Sequence, residues 1–285
     1  MSRIMRLYYY SVAGAIGGLV AWQISNLVGL SFTPSLIVNE ILVGALIGLC
    51  IGASIGITEG IIRKDLLYTL KNAAINAGLG AAGGAIGLPI AEGLFQLSGG
   101  EAAGRLAGWA IFGLLVGIAA GFMSGAQVWK GALGGILGGI FGGVLLSAAQ
   151  YLLGITAFGK ALGLMLLGAA VSLFIALIVY VLSRAWVEVK SGKMKGMEFV
   201  LDKFLNKNSP GAFIGSDVIK ADIVLTDPDI APQHAMLKGL GTHFTIKDMS
   251  LDGTYVNGKK IEMVRLSNHQ TIRMGNTELE YYEKR

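Results

Sequence analysis

The chain has 285 residues, of which 23 are basic and 18 acidic, with three His and one Cys and a formal net charge of +5. Hydrophobic residues make up 53% and charged residues only 14%, whereas a soluble domain has about 25% charged residues. The charges are uneven, since residues 1–185 contain 14 of them and residues 186–285 contain 27. This composition excludes a one-domain soluble enzyme and predicts a membrane region followed by a soluble domain.

The net charge of the C-terminal region and the number of cysteines limit the kinds of partner, metal and cofactor that this protein can have. The C-terminal 100 residues are nearly neutral, which excludes the basic face that nucleic-acid binding requires. One cysteine excludes a disulfide framework and a cysteine metal site, and the three His show no metal-ligand spacing. We therefore expect no nucleic-acid partner, no metal and no cofactor.

Six apolar stretches are long enough to cross a bilayer, which takes about 20 residues of helix. The third is the least apolar because Asn72, Asn76, Pro89 and Glu92 interrupt it. The first follows two arginines and is interpreted as a retained helix rather than a cleaved signal. The predicted spans are residues 8–30, 38–60, 72–95, 104–127, 131–153 and 161–183.

The distribution of Lys and Arg between the spans predicts the orientation, because cytoplasmic segments are rich in these residues. Only Arg105 and Lys160 fall on the side opposite the N-terminus. Both termini are therefore predicted to be cytoplasmic, in the cell (inner or plasma) membrane. The basic residues on the cytoplasmic side are Arg3, Arg6, Arg63, Lys64, Lys71, Lys130, Arg184, Lys190, Lys193 and Lys195.

Glycines recur at every fourth position in three spans, which places them on one face of each helix. Small residues on such a face let two membrane helices approach closely, so we interpret these rows as packing faces of the glycine-zipper kind. A substrate path lined by the glycines is the alternative, and the same faces could pair two copies in a homo-oligomer. The packing positions are Gly48, Gly52, Gly56, Gly60, Gly113, Gly117, Gly121, Gly125, Gly131, Gly135, Gly139 and Gly143.

The glycine pattern also repeats along the chain. The row from Gly48 maps onto the row from Gly113 at a shift of 65, and Gly113 maps onto Gly168 at a shift of 55. Gly14 maps onto Gly80 at a shift of 66, and Gly80 onto Gly135 at a shift of 55. The repeating unit is a helical hairpin, used three times in parallel over residues 7–63, 70–128 and 130–185.

From Met197 the pattern changes to short β-like stretches with turn signals every 8–12 residues. This spacing predicts an all-β sandwich over residues 197–285, joined to the all-α membrane bundle (residues 1–185) by a juxtamembrane linker (residues 186–196). Asn257-Gly258 predicts a two-residue hairpin turn, because both of its positions need a positive φ.

Six segments of this tail resemble the forkhead-associated (FHA) domain family in order and spacing: Ile214-Gly215, Ala221–Leu225, His234-Ala235, Asp248–Ser250, Gly253–Gly258 and Ile272–Gly275. FHA domains are β-sandwiches whose end loops bind phosphothreonine peptides, so the resemblance implies this fold and this surface. The positions that it identifies as scaffold are Gly215, His234, Gly253, Thr254, Asn257 and Gly258.

The loops that face the peptide in the family depart from its pattern here. Where the family has Arg, Ser, Thr and Asn, this chain has Ser216, Ala231, Leu251 and Asp252. A phosphate dianion needs charge-assisted donors. Asp252 would instead repel it by roughly 1–4 kcal/mol at about 4 Å. The peptide-facing positions are predicted to be Ser216, Lys220, Ala231, Pro232, Ser250, Leu251 and Asp252.

These observations predict an integral membrane scaffold or adaptor. The bundle lies in the lipid bilayer, and the FHA-like domain docks a cytoplasmic protein partner independently of phosphothreonine. Two alternatives stay open: a channel or transporter regulated by the tail, and a phosphothreonine-dependent signalling receptor. No catalytic constellation is present in the sequence, so we expect no enzyme activity.

Overall fold

The computed structural model of the chain describes residues 3–29, 35–63, 66–100, 102–123, 127–154 and 156–284. The chain divides into two compact units, one comprising Arg3–Leu182 and the other the residues from Ser183 onwards. The first unit is helical and the second is built of strands, so the predicted fold class is confirmed.

Six helices form the first unit, as predicted. Each is long and apolar enough to cross a membrane, with a mean hydropathy between 1.3 and 2.7. At 1.5 Å per residue, even a helix of 22 residues spans the hydrocarbon core of about 30 Å. The helices are α1 (Arg3–Val28), α2 (Leu36–Arg63), α3 (Leu66–Leu97), α4 (Ala102–Met123), α5 (Val128–Leu153) and α6 (Ala157–Val181).

The third helix is the longest of the described helices despite its polar interruptions, and groups on α2 and α3 accept hydrogen bonds from the side chains of both its asparagines. Asn72 Nδ2 donates to Glu59 Oε2 at 2.8 Å. Asn76 Nδ2 donates to the Asn72 carbonyl oxygen at 2.9 Å. Both asparagines are buried, and the helix continues through Pro89 to Leu97. Hydrogen bonds to both amide groups offset most of the cost of burying them, although Asn76 Oδ1 has no donor among the described residues, so hydropathy alone understated this span.

The helices pack as a closed ring. Each packs against its neighbours in the chain, α6 packs against α1, and α2, α4 and α6 also contact one another on the inside. The buried apolar residues of these three inner helices recur at the shifts of 65 and 55 found in the sequence. They are Ile47, Phe112 and Leu167; Ile51, Val116 and Val171; and Ile55, Ala120 and Ile175.

Glycines occupy the closest contacts between helices. A Cβ added at Gly48 would overlap the carbonyl oxygen of Gly80, and one added at Gly113 would overlap that of Gly135. The rows therefore close within one chain, and no larger residue fits without separating the helices. Gly125 lies outside the described residues. An added Cβ would also come closer than 3.0 Å to a neighbouring atom at Gly52, Gly56, Gly60, Gly117, Gly131, Gly139 and Gly143, whereas at Gly121 the closest atom would be 3.0 Å away.

The second unit is a sandwich of two sheets, with strand orders β2-β1-β11-β10-β7-β8 and β4-β3-β5-β6-β9. Its core consists of alternating inward-facing residues, as in Ile214, Ile246 and Leu279, which are fully buried. The strands are β1 (Ala185–Val189), β2 (Glu198–Val200), β3 (Ala212–Gly215), β4 (Ile223–Val224), β5 (Ala235–Gly239), β6 (Phe244–Asp248), β7 (Thr254–Val256), β8 (Lys259–Ile261), β9 (Met263–Arg265), β10 (Thr271–Met274) and β11 (Thr277–Glu283).

The segment predicted as a linker, residues 186–196, instead begins within the first strand of this sandwich. Strand β1 lies between β2 and β11 and pairs with both in antiparallel register. Val187 and Val189 are fully buried, so this segment contributes to the core. The basic residues around it mask the alternation that identifies a strand, and the sandwich therefore begins about twelve residues earlier than its predicted start at Met197.

The hairpin turn predicted at Asn257-Gly258 is confirmed. Asn257 has a φ of 49° and Gly258 one of 78°, and the turn connects the paired strands β7 and β8. The Asn257 side chain also accepts a hydrogen bond from the backbone N–H of Thr271 at 3.0 Å, which ties the turn to β10.

Candidate functional site

Three loops meet at one end of the sandwich and form the candidate site. They are the β3–β4 loop (residues 216–222), the β4–β5 loop (residues 225–234) and the β6–β7 loop (residues 249–253). Antiparallel pairing places the end of β3 beside the start of β5, and the start of β5 beside the end of β6. Ladder geometry therefore brings segments that are far apart in sequence to one surface.

Gly215 sets how closely two of these loops approach. A Cβ at this position would overlap the carbonyl oxygen of Pro232 and lie 3.0 Å from that of Ala231. The backbone N–H of Ser216 donates to the Ala231 carbonyl oxygen at 3.1 Å. Glycine is required here because the β4–β5 loop lies directly over the end of β3.

His234 holds the β4–β5 and β6–β7 loops together and is fully buried. Its Nδ1 accepts a hydrogen bond from the backbone N–H of Ala231 at 3.1 Å. Nδ1 is therefore unprotonated, so Nε2 carries the proton and donates to the carbonyl oxygen of Gly253 at 3.3 Å. With both ring nitrogens engaged in this way, His234 is a scaffold residue rather than a base.

Asp248 organises the β6–β7 loop from the end of β6. Its Oδ1 accepts hydrogen bonds from Thr254 Oγ1 at 2.8 Å and from Ser250 Oγ at 3.1 Å. Burial of the carboxyl raises its pKa, but the hydrogen bonds from Thr254 and Ser250 outweigh burial and hold the pKa of Asp248 below its ordinary value. The ionised carboxylate is thus the form that stabilises the loop.

We expect Asp248→Asn to reduce the free energy of unfolding of a soluble fragment, residues 183–285, by about 1–2 kcal/mol at pH 7, because an amide accepts these donors less strongly. The folded pKa of Asp248 is lowered, so its contribution is present above the unfolded pKa of about 3.9 and is lost as the pH falls further. Urea unfolding between pH 7 and pH 3 measures both effects. The exposed Asp252→Asn is the matched control, with an expected change within about 0.5 kcal/mol. Equal losses in the two variants would contradict this role.

Two of the predicted peptide-facing hydroxyls are engaged inside the domain. Ser216 Oγ donates to the carbonyl oxygen of Ile230 at 2.7 Å. Ser250 Oγ accepts the backbone N–H of Gly253 at 2.8 Å and contacts Nε2 of His234 at 3.1 Å. Neither hydroxyl offers its proton to a ligand in this arrangement. Lys220 is exposed, and its carbonyl oxygen accepts a hydrogen bond from Gln233.

Large apolar side chains are exposed on the same loops. Leu251 is 99% exposed and Ile219 is 87% exposed. Pro232 and Asp252 are also exposed, and Ala231 is half-buried. Side chains of this size are normally buried, so their exposure at a loop end indicates a contact surface. The sequence predicts Leu251 as a peptide-facing residue but not Ile219, since nothing in the sequence distinguishes an outward-facing Ile from a core residue.

A groove of about 570 Å³ runs along one side of this surface. The predicted positions Ala231, Pro232 and Asp252 line it. Arg273 and Tyr255 line it as well, with the Arg273 guanidinium carbon 4.4 Å from the centre of the Tyr255 ring. The alternation of buried Ile272 and Met274 around Arg273 is the signal that could have placed this arginine on the outer face.

The remaining scaffold positions lie beside the site. Thr254 is fully buried, and its hydroxyl donates to Asp248. Gly253 has a φ of 88°, which favours glycine, and its carbonyl oxygen accepts a hydrogen bond from Nε2 of His234. In the described part of the chain, no three His, Cys, Asp or Glu side chains form a group that could hold a metal.

The C-terminal part of the chain matches a known protein family. The family described as FHA domain matches residues 212–275. The FHA domain of the CT664 protein from Chlamydia trachomatis is 34% identical, and the match covers 36% of this chain and 100% of that one, with a TM-score of 0.32. No curated protein matches the chain.

Two further solved structures match a similar share of the chain. The FhaA FHA domain, complexed with the intracellular domain of Rv3910, is 21% identical and is covered over 98% of its length and 34% of this chain, with a TM-score of 0.29. The cytoplasmic domain of the T3SS sorting platform protein PscD from P. aeruginosa is 20% identical and is covered over 82% of its length and 36% of this chain, also with a TM-score of 0.29. Through its C-terminal domain, the chain belongs to the FHA-domain family.

Proposed function

We propose that this protein is a membrane scaffold whose cytoplasmic FHA domain docks a protein partner without phosphothreonine. FHA domains are protein-interaction modules rather than catalysts, which supports a docking role. The observation that carries the proposal is the chemistry of the loop end. It presents apolar side chains and an aspartate where the family presents phosphate ligands.

The loop end offers few hydrogen-bond donors to a phosphate group. The hydroxyl of Ser216 donates to Ile230, and Ala231 has no side-chain donor. Asp252 adds a negative charge to the groove. Arg273 is the cation among the lining residues, but the family's Arg and Ser positions supply no charged donor here, so a dianion would regain only part of the charge-assisted hydrogen bonding that compensates for its lost hydration. This balance favours an unphosphorylated partner.

Ile219 and Leu251 are the large apolar side chains that the loop end exposes to a partner. Fully burying an exposed Leu or Ile contributes about 1.5–3 kcal/mol. The two side chains lie on different loops at the same end, so one partner surface would cover both. Arg273 in the adjacent groove supplies a cation for an acidic side chain of that partner. We therefore propose a partner with an apolar patch beside an acidic residue.

The bundle is proposed to serve as the anchor. Buried apolar side chains from α2, α4 and α6 pack together on the inside of the ring, which supports an anchor over a channel. The bias of Lys and Arg supports cytoplasmic termini in the cell membrane. The glycine rows pack within the chain, so they do not support pairing between copies.

The proposed threefold repeat is supported by equivalent contacts between the hairpins. Gly48 faces Gly80, Gly113 faces Gly135 and Gly168 faces Gly14, and in each pair an added Cβ would overlap the partner's carbonyl oxygen. The shifts of 65 and 55 relate the first members, and those of 66 and 55 relate the second. Each hairpin therefore contacts the next through the same pair of positions.

A titration of residues 183–285 tests the phosphate part of the proposal. The probes are a phosphothreonine peptide library and its unphosphorylated twin, and circular dichroism shows that the fragment is folded. We expect no preference for the phosphorylated set. A preference of about tenfold, which corresponds to 1.4 kcal/mol, would contradict the proposal and identify a phosphothreonine receptor instead.

A further inference from the structure

The helical unit contains a cavity of about 600 Å³ among its own helices. It lies at the end of the bundle where α1, α3 and α5 end and α2, α4 and α6 begin, and all six helices line it. Ile47 lines the cavity and also belongs to the buried apolar cluster, so the cavity is bounded by packed side chains at that point. We call this cavity the cup. In the predicted topology it faces away from the cytoplasm.

The wall of the cup carries four charges of both signs. Glu40 and Glu92 are half-buried acids, and Arg105 and Lys160 are exposed bases. Within the described ranges, no carboxylate of this set comes within 4 Å of a cation to form an ion pair. Since these opposite charges line one cavity without neutralising each other, a ligand that carries both signs would complement them.

The contacts that these groups do make are local. Glu92 accepts a hydrogen bond from Gln96 at 2.9 Å, one turn along α3. The Arg105 guanidinium carbon lies 4.4 Å from the centre of the Phe95 ring. A cation held over an aromatic ring keeps its N–H groups available for an anion.

An unsatisfied acceptor stands beside the acids. Asn39 lines the cup, and its side-chain Oδ1 is buried without a hydrogen-bond donor among the described residues. A buried amide oxygen without a donor costs free energy, and turning the Asn39 side chain so that Oδ1 accepts a ligand N–H in the cup removes this cost. Together with Glu40 and Glu92, it forms a set of acceptors suited to a primary ammonium, which has three donors.

We propose that the cup binds a zwitterion in which a primary ammonium is linked to a phosphate. The ammonium binds at Glu40, Glu92 and Asn39, and the phosphate at Arg105 and Lys160. A volume of about 600 Å³ falls within the usual range for small-molecule sites. Trp22 and Trp109 supply apolar wall for the linking carbons. The headgroup of phosphatidylethanolamine and free phosphorylethanolamine share this chemistry.

Two binding measurements on the full chain separate these sources. In the lipid arm, the protein is purified from mixed phosphatidylethanolamine and phosphatidylcholine micelles, and retained lipid is counted by native mass spectrometry. In the soluble arm, phosphorylethanolamine and phosphorylcholine are titrated by calorimetry into protein in phosphatidylcholine nanodiscs. The choline compounds are the matched probes, because their methylated nitrogen has no N–H donor. We expect at least about tenfold preference for the ethanolamine compound in one arm.

Charge-neutralising variants connect the binding to the cup. We expect Glu40→Gln and Lys160→Gln each to lower the preferred binding at least fivefold. Glu262→Gln and Lys71→Gln, which are exposed outside the cup, should leave it unchanged. Elution as a single species and an unchanged helical spectrum verify folding, and Asn39→Ala supplies a second, uncharged test. Equal binding of ethanolamine and choline probes, binding in neither arm, or unchanged binding in the folded cup variants would overturn the proposal.

Discussion

Replacing Ile219 and Leu251 together with Asp is expected to lower capture of the proposed protein partner at least tenfold. Both side chains are almost fully exposed at the loop end of the sandwich. Each would contribute about 1.5–3 kcal/mol when a partner covers it, so losing both exceeds the 1.4 kcal/mol of a tenfold change. Because neither side chain is in the core, the domain itself should keep its stability within about 0.5 kcal/mol.

The measurement is quantitative crosslinking of the full chain in cells, followed by mass spectrometry of captured proteins. Thr242→Asp is the matched control, since Thr242 is exposed in the turn between β5 and β6, at the opposite end of the sandwich. We expect one set of proteins to be lost from the double variant and retained in the control. An unchanged set in a correctly folded double variant would show that the partner binds elsewhere.

The architecture of this protein could be predicted from its sequence because its signals are periodic or local. Span length and hydropathy identify a membrane helix, as in α6, whose mean hydropathy is 2.7. The Asn257-Gly258 turn depends on two adjacent residues and their backbone preference. Strand β1 was missed because five residues among basic neighbours carry too short an alternation, and its partner β11 lies at the far end of the chain.

The site was only partly predictable, for a related reason. Family resemblance located Ala231 and Asp252, which do line the groove. It could not show that the hydroxyls of Ser216 and Ser250 are consumed by hydrogen bonds within the domain, because those bonds depend on how the loops fold against each other. The cup is a stronger case. Glu40 and Lys160 are 120 positions apart in sequence, and they line the same cavity only because the helices close into a ring.

The second large effect concerns two glycines of α3, at which substitution by Ala is expected to change the stability of the bundle in opposite directions. A Cβ at Gly80 would overlap the carbonyl oxygen of Gly48 on α2, whereas a Cβ at Gly78 has nothing within 4 Å. In an open helix position, Gly→Ala stabilises by about 0.5–1 kcal/mol. We therefore expect Gly78→Ala to keep or raise the thermal midpoint in detergent. Gly80→Ala should lower the midpoint, because overpacking reduces the free energy of unfolding by about 1–3 kcal/mol.

The same experiment tests the threefold repeat. Gly135 and Gly14 occupy the positions equivalent to Gly80, facing the carbonyl oxygens of Gly113 and Gly168. If the three hairpins meet through one kind of contact, Gly14→Ala, Gly80→Ala and Gly135→Ala lower the midpoint by similar amounts, and the corresponding Leu variants fail to yield a monodisperse protein. A loss at Gly80 alone would show that only the α2–α3 contact limits stability. Because the helices of this bundle have no hydrophobic driving force between them in lipid, close backbone contact is what such a substitution removes.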